Sequence, residues 1–482
     1  MHGVRFVPAP SELPFTHPSP HTQAAGETGR GPAVPGRETA FATTAFAGSD
    51  FASRGRGSVS CGRGPAFRQG NASASAAPKE SPPSPFRAAC LALAGTIGVG
   101  NMSGVAMAIL TGGPGAIFWM WICAFAAMLL KYAEIALSMS TRRTDPRGGY
   151  VGGTPYSMAA VGWRRTGALF AVLCLLNTVV LGGAVQAGAI AEAMSDGFGI
   201  PVLPVAVILV LMTMTAVLRG SEKLTALTGR LVPFMCLFYL TVSVMAVLLH
   251  ADRLPGAFAS ILSGAFTWTS AGGGLLGFFT SRAVRIGAAR GLLSNEGGCG
   301  TAPLAHVTSA ETEPARQGLF GIFEVFADTV VICTLTAMVI LTAFPTLPSG
   351  LGGMALIRAA FGTVLGGFAG PFVAISLFFF AYATILCEAF YGQTCLRYFT
   401  ERRPARWGFL LLLGVAIVCG AYVPTESLWL LTDLLLAAMT LLNLALLLRC
   451  AGQIVRLTEE AGFLRPSAVK PGHSRRQEQG SH

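Results

Sequence analysis

The stretch Leu93-Ala-Gly-Thr-Ile-Gly-Val-Gly-Asn-Met-Ser-Gly-Val-Ala-Met-Ala-Ile-Leu110 is apolar enough to enter a bilayer, yet glycines and one asparagine interrupt it at its middle. A continuous helix satisfies its own backbone. A helix loosened at Gly98-Val-Gly100 frees amides and carbonyls at membrane depth, which is tolerated only where they line a cavity or meet a ligand. A second apolar segment, five spans further along, carries the same interruption at Gly272-Gly273-Gly274. Paired Gly-broken segments in corresponding positions of two halves point to the binding site of a secondary transporter. Glycines that only let helices pack closely are the plainer reading, and it is weaker for clusters that carry a polar side chain.

Composition agrees. Hydrophobic residues make up 52% of the 482 and charged residues 12%, and the mean hydropathy is +0.59. These values lie outside the range of soluble domains. The net charge of +11 is spread over short loops between apolar runs, so it reads as a topology signal and not as a nucleic-acid stripe. The 11 cysteines lie mostly within apolar runs without a CxxC pair, as small core hydrophobes do. No HExxH and no nucleophile elbow appears, so the chain is not read as an enzyme and no cofactor is expected beyond a coupling ion.

Residues 1–85 are rich in Pro, Gly, Ser and Ala and are expected to form a disordered N-terminal tail, either functional or an upstream extension of the start. From residue 86 to 450 ten candidate spans follow, at about 88–111, 115–140, 167–194, 201–218, 229–249, 256–284, 317–344, 366–395, 406–421 and 427–449. Residues 451–482 are then a cytoplasmic C-terminal tail. With the N-terminus inside, fifteen Lys and Arg fall in the inner loops, among them Arg142, Arg164, Arg219, Arg290, Arg402 and Arg403, and two, Arg253 and Arg358, fall outside. That asymmetry places both termini in the cytoplasm and the chain in the inner membrane. Ten spans divide as five plus five, and an odd-numbered unit repeated in tandem inserts upside down relative to its copy. The predicted fold is therefore an all-α polytopic membrane protein, a 5+5 inverted repeat with broken helices one and six.

The residues Gly95-Thr-Ile-Gly-Val-Gly-Asn-Met102, Gly112-Gly-Pro-Gly-Ala-Ile-Phe-Trp-Met-Trp121, Lys131-Tyr-Ala-Glu134, Arg290-Gly-Leu-Leu-Ser-Asn-Glu-Gly-Gly-Cys-Gly-Thr-Ala-Pro303 and Arg316-Gln-Gly318 together resemble the alanine/glycine:cation symporter family, in the family's order over about 86–450. The resemblance implies a leucine-transporter-like fold and import of a small neutral amino acid, alanine or glycine, with sodium or protons. This chain departs from the family's usual pattern at Val99, where a Thr is usual, at Gly183 in Gly183-Ala-Val-Gln186, and at Ala383 beside Thr384. The region of a usual further span is here the polar N-terminal stretch.

The expected substrate site is Gly98, Gly100, Asn101, Gln186 and Gly272, Gly273 and Gly274. An amide such as Asn101 must find partners at membrane depth, in the broken segment or across helices. Gln186, in the third span, matches the family's substrate-contacting glutamine; an interhelical bond is its plainer role. The expected cation site is Thr96, Gly98 and Thr384, since hard cations take oxygen ligands; a hydroxyl bonded to its own helix is the alternative for Thr384. Asn295, Glu296 and Asp328 are read as gate or structural residues, with hydrogen bonding favoured over proton relay for Asp328. Lys131 and Glu134, three apart on a helix, are expected to pair locally. The rival functions are a channel, which would want a ring of like groups along a pore, and a non-transporting sensor or scaffold. A symporter of another small amino acid is the nearest variant.

Overall fold

The structure is a computed structural model that describes residues 81–146, 148–266 and 281–464. The break expected at Gly272–Gly274 and most of the expected N-terminal tail lie outside the described residues. Ser84 caps the first helix by accepting the Arg87 amide, and Pro85 occupies the first turn, where its missing N–H costs nothing. The described residues begin slightly before the expected boundary, and the Ala310 amide donates to Pro83 O at 2.8 Å.

The first membrane segment is two helices, α1 (Pro85–Thr96) and α2 (Ser103–Gly112), joined by a 3-10 turn at Val99–Asn101. Then come α3 (Gly115–Thr141), the short α4 (Thr154–Ala160) and α5 (Arg164–Asn177). A π-helical stretch, Thr178–Val185, joins α5 to α6 (Gln186–Phe198). Helices α7 (Val202–Leu218), α8 (Ser221–Leu249) and α9 (Leu254–Ala265) complete the first part. After the undescribed stretch, α10 (Arg282–Asn295) leads through α11 (Ala302–His306) to α12 (Pro314–Val325). A second π stretch, Phe326–Cys333, connects α12 to α13 (Thr334–Ala343). The rest is α14 (Gly353–Leu365), α15 (Ala369–Phe399), α16 (Arg403–Gly420), α17 (Thr425–Arg449) and α18 (Ala451–Glu460). A two-stranded hairpin, β1 (Arg143–Thr144) with β2 (Tyr150–Val151), sits in the loop after α3.

Seven of these helical runs are long and apolar enough to cross a membrane, and α2 and α7 are shorter apolar helices. Described helices overlap each of the expected segments. The expected spans did not include the short α4 and α11, most of α10, α14 between the seventh and eighth segments, or α18 in the C-terminal tail. Leu237, Leu411, Leu430 and Leu448 on the outer helices are exposed, whereas Leu91, Ile97 and Met102 around the first break are fully buried. The broken segment is therefore the core of the bundle and not its lipid face. Helix α3 packs most extensively on α12 and α10, and α6 on α15. The α3–α12 contact joins the second segment of one half to the second of the other, and α6–α15 joins third to third, an arrangement consistent with an inverted repeat.

Candidate substrate and cation site

Helix α1 stops because Ile97 turns extended (φ −81°, ψ 92°) and Gly98 stays extended, leaving the last carbonyls of the helix without intrahelical donors. Asn101 then stabilises the gap. Its Oδ1 accepts the Gly98 amide at 2.9 Å, and its Nδ2 donates to Asp328 Oδ1 at 2.5 Å. Asp328, in the π stretch before α13, also accepts from Ser294 at 2.9 Å and Thr329 at 2.8 Å through Oδ2. Asn101 and Asp328 are both fully buried.

Across the gap lie Gln186 and Thr384. A Cβ on Gly98 would stand 2.7 Å from Thr384 Oγ1 and 3.4 Å from Gln186 Oε1. Glycine is thus required by the approach of two polar side chains, not by a left-handed dihedral. Thr384 Oγ1 lies 3.0 Å from Ala94 O, 3.4 Å from Ile97 O and 3.1 Å from Phe380 O. Its proton can go to Phe380 in its own helix, leaving a hydroxyl lone pair and two freed carbonyls as three oxygens on one point. Ala383 is fully buried beside it with no oxygen to add. Gln186 is 2% exposed, and its Oε1 has no hydrogen-bond partner among the described residues. A buried orphan acceptor is costly unless a ligand or water meets it.

Gly98, Gln186 and Thr384 come together as expected. Gly100 lies on the other side, where a Cβ would approach Ser294 Cα at 3.8 Å. Asn101 is turned to the Asp328 side. Thr96 donates to Leu93 O at 3.1 Å within its own helix, so its hydroxyl is engaged away from Thr384. Gly272, Gly273 and Gly274 fall outside the described residues.

Below the break, Asn295 and Glu296 end α10. Asn295 bonds Thr329 Oγ1 and the Gly297 amide, and Glu296 accepts from Thr301 at 2.7 Å. Glu296 has φ 50°, left-handed for a non-glycine residue, which the surrounding loop must hold. The expected Lys131–Glu134 pair is corrected. Lys131 Nζ donates to Asn295 O at 2.9 Å, while Glu134 Oε2 accepts from the Gly300 amide at 3.1 Å and Asn443 Nδ2 at 2.7 Å. Both side chains staple the loop after α10 to α3, since buried charges and buried backbone groups alike need hydrogen-bond partners. His306 Nε2 and Glu324 Oε1 meet at 2.5 Å, with Gln317 Nε2 on His306 Nδ1 at 2.7 Å, so α11 is latched onto α12.

Two residues escaped the sequence reading. Asn177 Nδ2 bonds Glu388 Oε1 at 3.3 Å, tying α5 to α15, and Asn443 braces Glu134. Each is a lone amide in an apolar run, the same signal that marked Asn101.

The model of the sodium:alanine symporter family matches residues 65–463. The sodium/alanine symporter AgcS of Methanococcus maripaludis is 35% identical, over 80% of this chain and 85% of its own. A Bacillus subtilis protein named as a probable sodium/glutamine symporter, GlnT, is 34% identical over 75% of each chain. Among solved structures, MhsT in complex with L-phenylalanine aligns with a TM-score of 0.58 at 16% identity, over 80% of this chain and 93% of that one. A manganese transporter of Eremococcus coleocola aligns with a TM-score of 0.51 at 18% identity, over 78% of each. At these identities the likeness is one of fold, the leucine-transporter-like fold.

Proposed function

This chain belongs to the sodium:alanine symporter family, and on that footing we propose that it imports a small neutral amino acid, alanine or glycine, together with sodium. The observation that carries the reading is the convergence of Gly98, the orphan carboxamide of Gln186 and the Thr384 hydroxyl at the end of α1. The substrate's ammonium would go to freed carbonyls and the Gln186 carbonyl, and its carboxylate to amides of the broken segments. The cation would sit between Thr384 Oγ1, Ala94 O and Ile97 O, with proton coupling as the alternative. The ion is cargo here and no resident cofactor is invoked. A small side chain is favoured because Gly98 already has two polar groups against its Cα, leaving little room for bulk. Both termini are read as cytoplasmic in an inner-membrane protein, a reading that the excess of Lys and Arg in alternate loops supports.

The test is purified protein in liposomes, with radiolabelled alanine, glycine and glutamine and an imposed sodium or proton gradient. Sodium-driven accumulation of alanine or glycine is expected. Binding without accumulation would make the chain a sensor, and preferential glutamine uptake would overturn the small-substrate reading.

A further inference from the structure

Helix α16 opens with Arg402 as its N-cap, then Arg403, Pro404, Ala405 and Arg406, and no acidic residue lies in its first turn. Positive side chains there oppose the helix dipole, whose N-terminal end already carries partial positive charge. Two carboxylates beside them, Asp145 at 2.6 Å and Glu401 at 3.2 Å, are held by Arg397. Among the described residues no ion pair joins Arg402, Arg403 or Arg406 to a carboxylate. Arg406 Nη2 reaches Val217 O at the end of α7, 3.4 Å away, while its Nε is buried without a partner. The three arginines line a cavity of about 360 Å³ between the end of α15, the start of α16 and the turn from α7 to α8.

Directly beyond Arg406 the surface changes character. Trp407, Leu410, Leu411, Gly414, Val415 and Val418 recur at helical spacing on one face of α16 and border a groove against Val210 and Met214 of α7. At 1.5 Å per residue the groove runs about 17 Å from Trp407 to Val418, roughly half the ~30 Å hydrocarbon thickness. Trp407, 58% exposed, stands at the junction of basic cup and apolar groove, the place of an interfacial aromatic. Cup and groove lie end to end between the same two helices.

A free anion would account for the cup but not the groove, and a neutral lipid for the groove but not the cup. We propose that this site binds an anionic phospholipid, its phosphate held by Arg402, Arg403 and Arg406 and one acyl chain lying along α16 and α7. The guanidinium fork matches a phosphate bidentately, and basic pockets between membrane helices take acidic headgroups.

The test uses the purified full chain in a neutral detergent, titrated with phosphatidylglycerol, phosphatidylcholine or inorganic phosphate and followed by native mass spectrometry. Phosphatidylglycerol is expected to bind at least about tenfold more tightly than phosphatidylcholine. Arg402→Gln with Arg403→Gln, both exposed and so safe for folding, should bring the two lipids level with an unchanged melting temperature. Gly414→Leu, which narrows the groove, should weaken phosphatidylglycerol binding with the arginines intact. Equal binding of both lipids by the wild type, a preference that survives the double arginine change, or full affinity in Gly414→Leu overturns the proposal. So does displacement of the lipid by inorganic phosphate at matched concentration, which would make the cup a plain anion site. Should Gly414→Leu not fold, the arginine pair decides.

Discussion

On one flank of the Gly98 break both carboxylate oxygens of Asp328 are engaged, by Asn101, Ser294 and Thr329; on the other flank Gln186 Oε1 faces the same break with no partner among the described residues. The first flank joins α1 to α10 and to the π stretch before α13, and through Asn295 it continues to Lys131 on α3. The second reaches across from α6 and α15. Equal burial at equal depth thus serves two ends. A satisfied network fixes the broken helix in place, while an unsatisfied group keeps binding capacity in reserve. Substitutions on the two flanks should therefore fail in different ways.

The largest effect is expected from Asp328→Ala. It orphans three buried donors at about 1–3 kcal/mol each, enough to consume most of a marginal stability. Melting in detergent should fall steeply and uptake should vanish with it. If Asp328→Ala melts like the wild type, the flank is not the brace described here.

Gly98→Val comes next. Its side chain would drive into Thr384 Oγ1, 2.7 Å from a Cβ at that position, yet the pair can part by local shifts. Uptake should drop by about a hundredfold or more, as misplacement near a binding site allows, while stability falls only by about 1–3 kcal/mol, as for an overpacked core, less than in Asp328→Ala. Normal uptake would move the site away from the break.

Thr384→Ala sharpens the contrast within the open flank. Ala383 beside it has no oxygen to offer, so removing the Thr384 hydroxyl should raise the sodium needed for half-maximal uptake. A hydroxyl worth roughly 1–2 kcal/mol gives about a five- to thirtyfold shift. Overlaid sodium curves for the two proteins would remove Thr384 from the cation site, and a response to pH gradients alone would make the coupling ion a proton.

The smallest effect belongs to Gln186→Ala. The carboxamide has no protein partner to strand, so melting should change by under about 1 kcal/mol, while half-saturation for alanine rises about tenfold for a lost hydrogen bond to substrate. A stability loss matching that of Asp328→Ala would erase the difference between the flanks.

Much of this was legible in the chain. Gly98, Asn101 and Gln186 stood out because each is a polar or glycine fault in an apolar run, and hydropathy reads such faults directly. The partner of Asn101 was not legible, since Asp328 lies 227 residues away and only the fold brings them together. Lys131 and Glu134 misled for the opposite reason. Their spacing of three favours a local pair, but buried backbone groups at Asn295 and Gly300 had no other donor or acceptor and claimed them. Helix α14 escaped because its apolar run, 13 residues with Arg358 inside it, is too short to cross a bilayer by itself.

The π stretch Thr178–Val185 ends immediately before Gln186, and π turns gather at functional positions. Its counterpart in the other half, α15, runs as regular α-helix from Ala369 to Phe399. A wide turn holds surplus residues, so chain length in this stretch works as an angular setting. Winding those same residues as ordinary α-helix, with none held surplus, would rotate everything after them by about 100°. Gln186 would keep its identity, its depth and its hydropathy profile, and would point at a different neighbour.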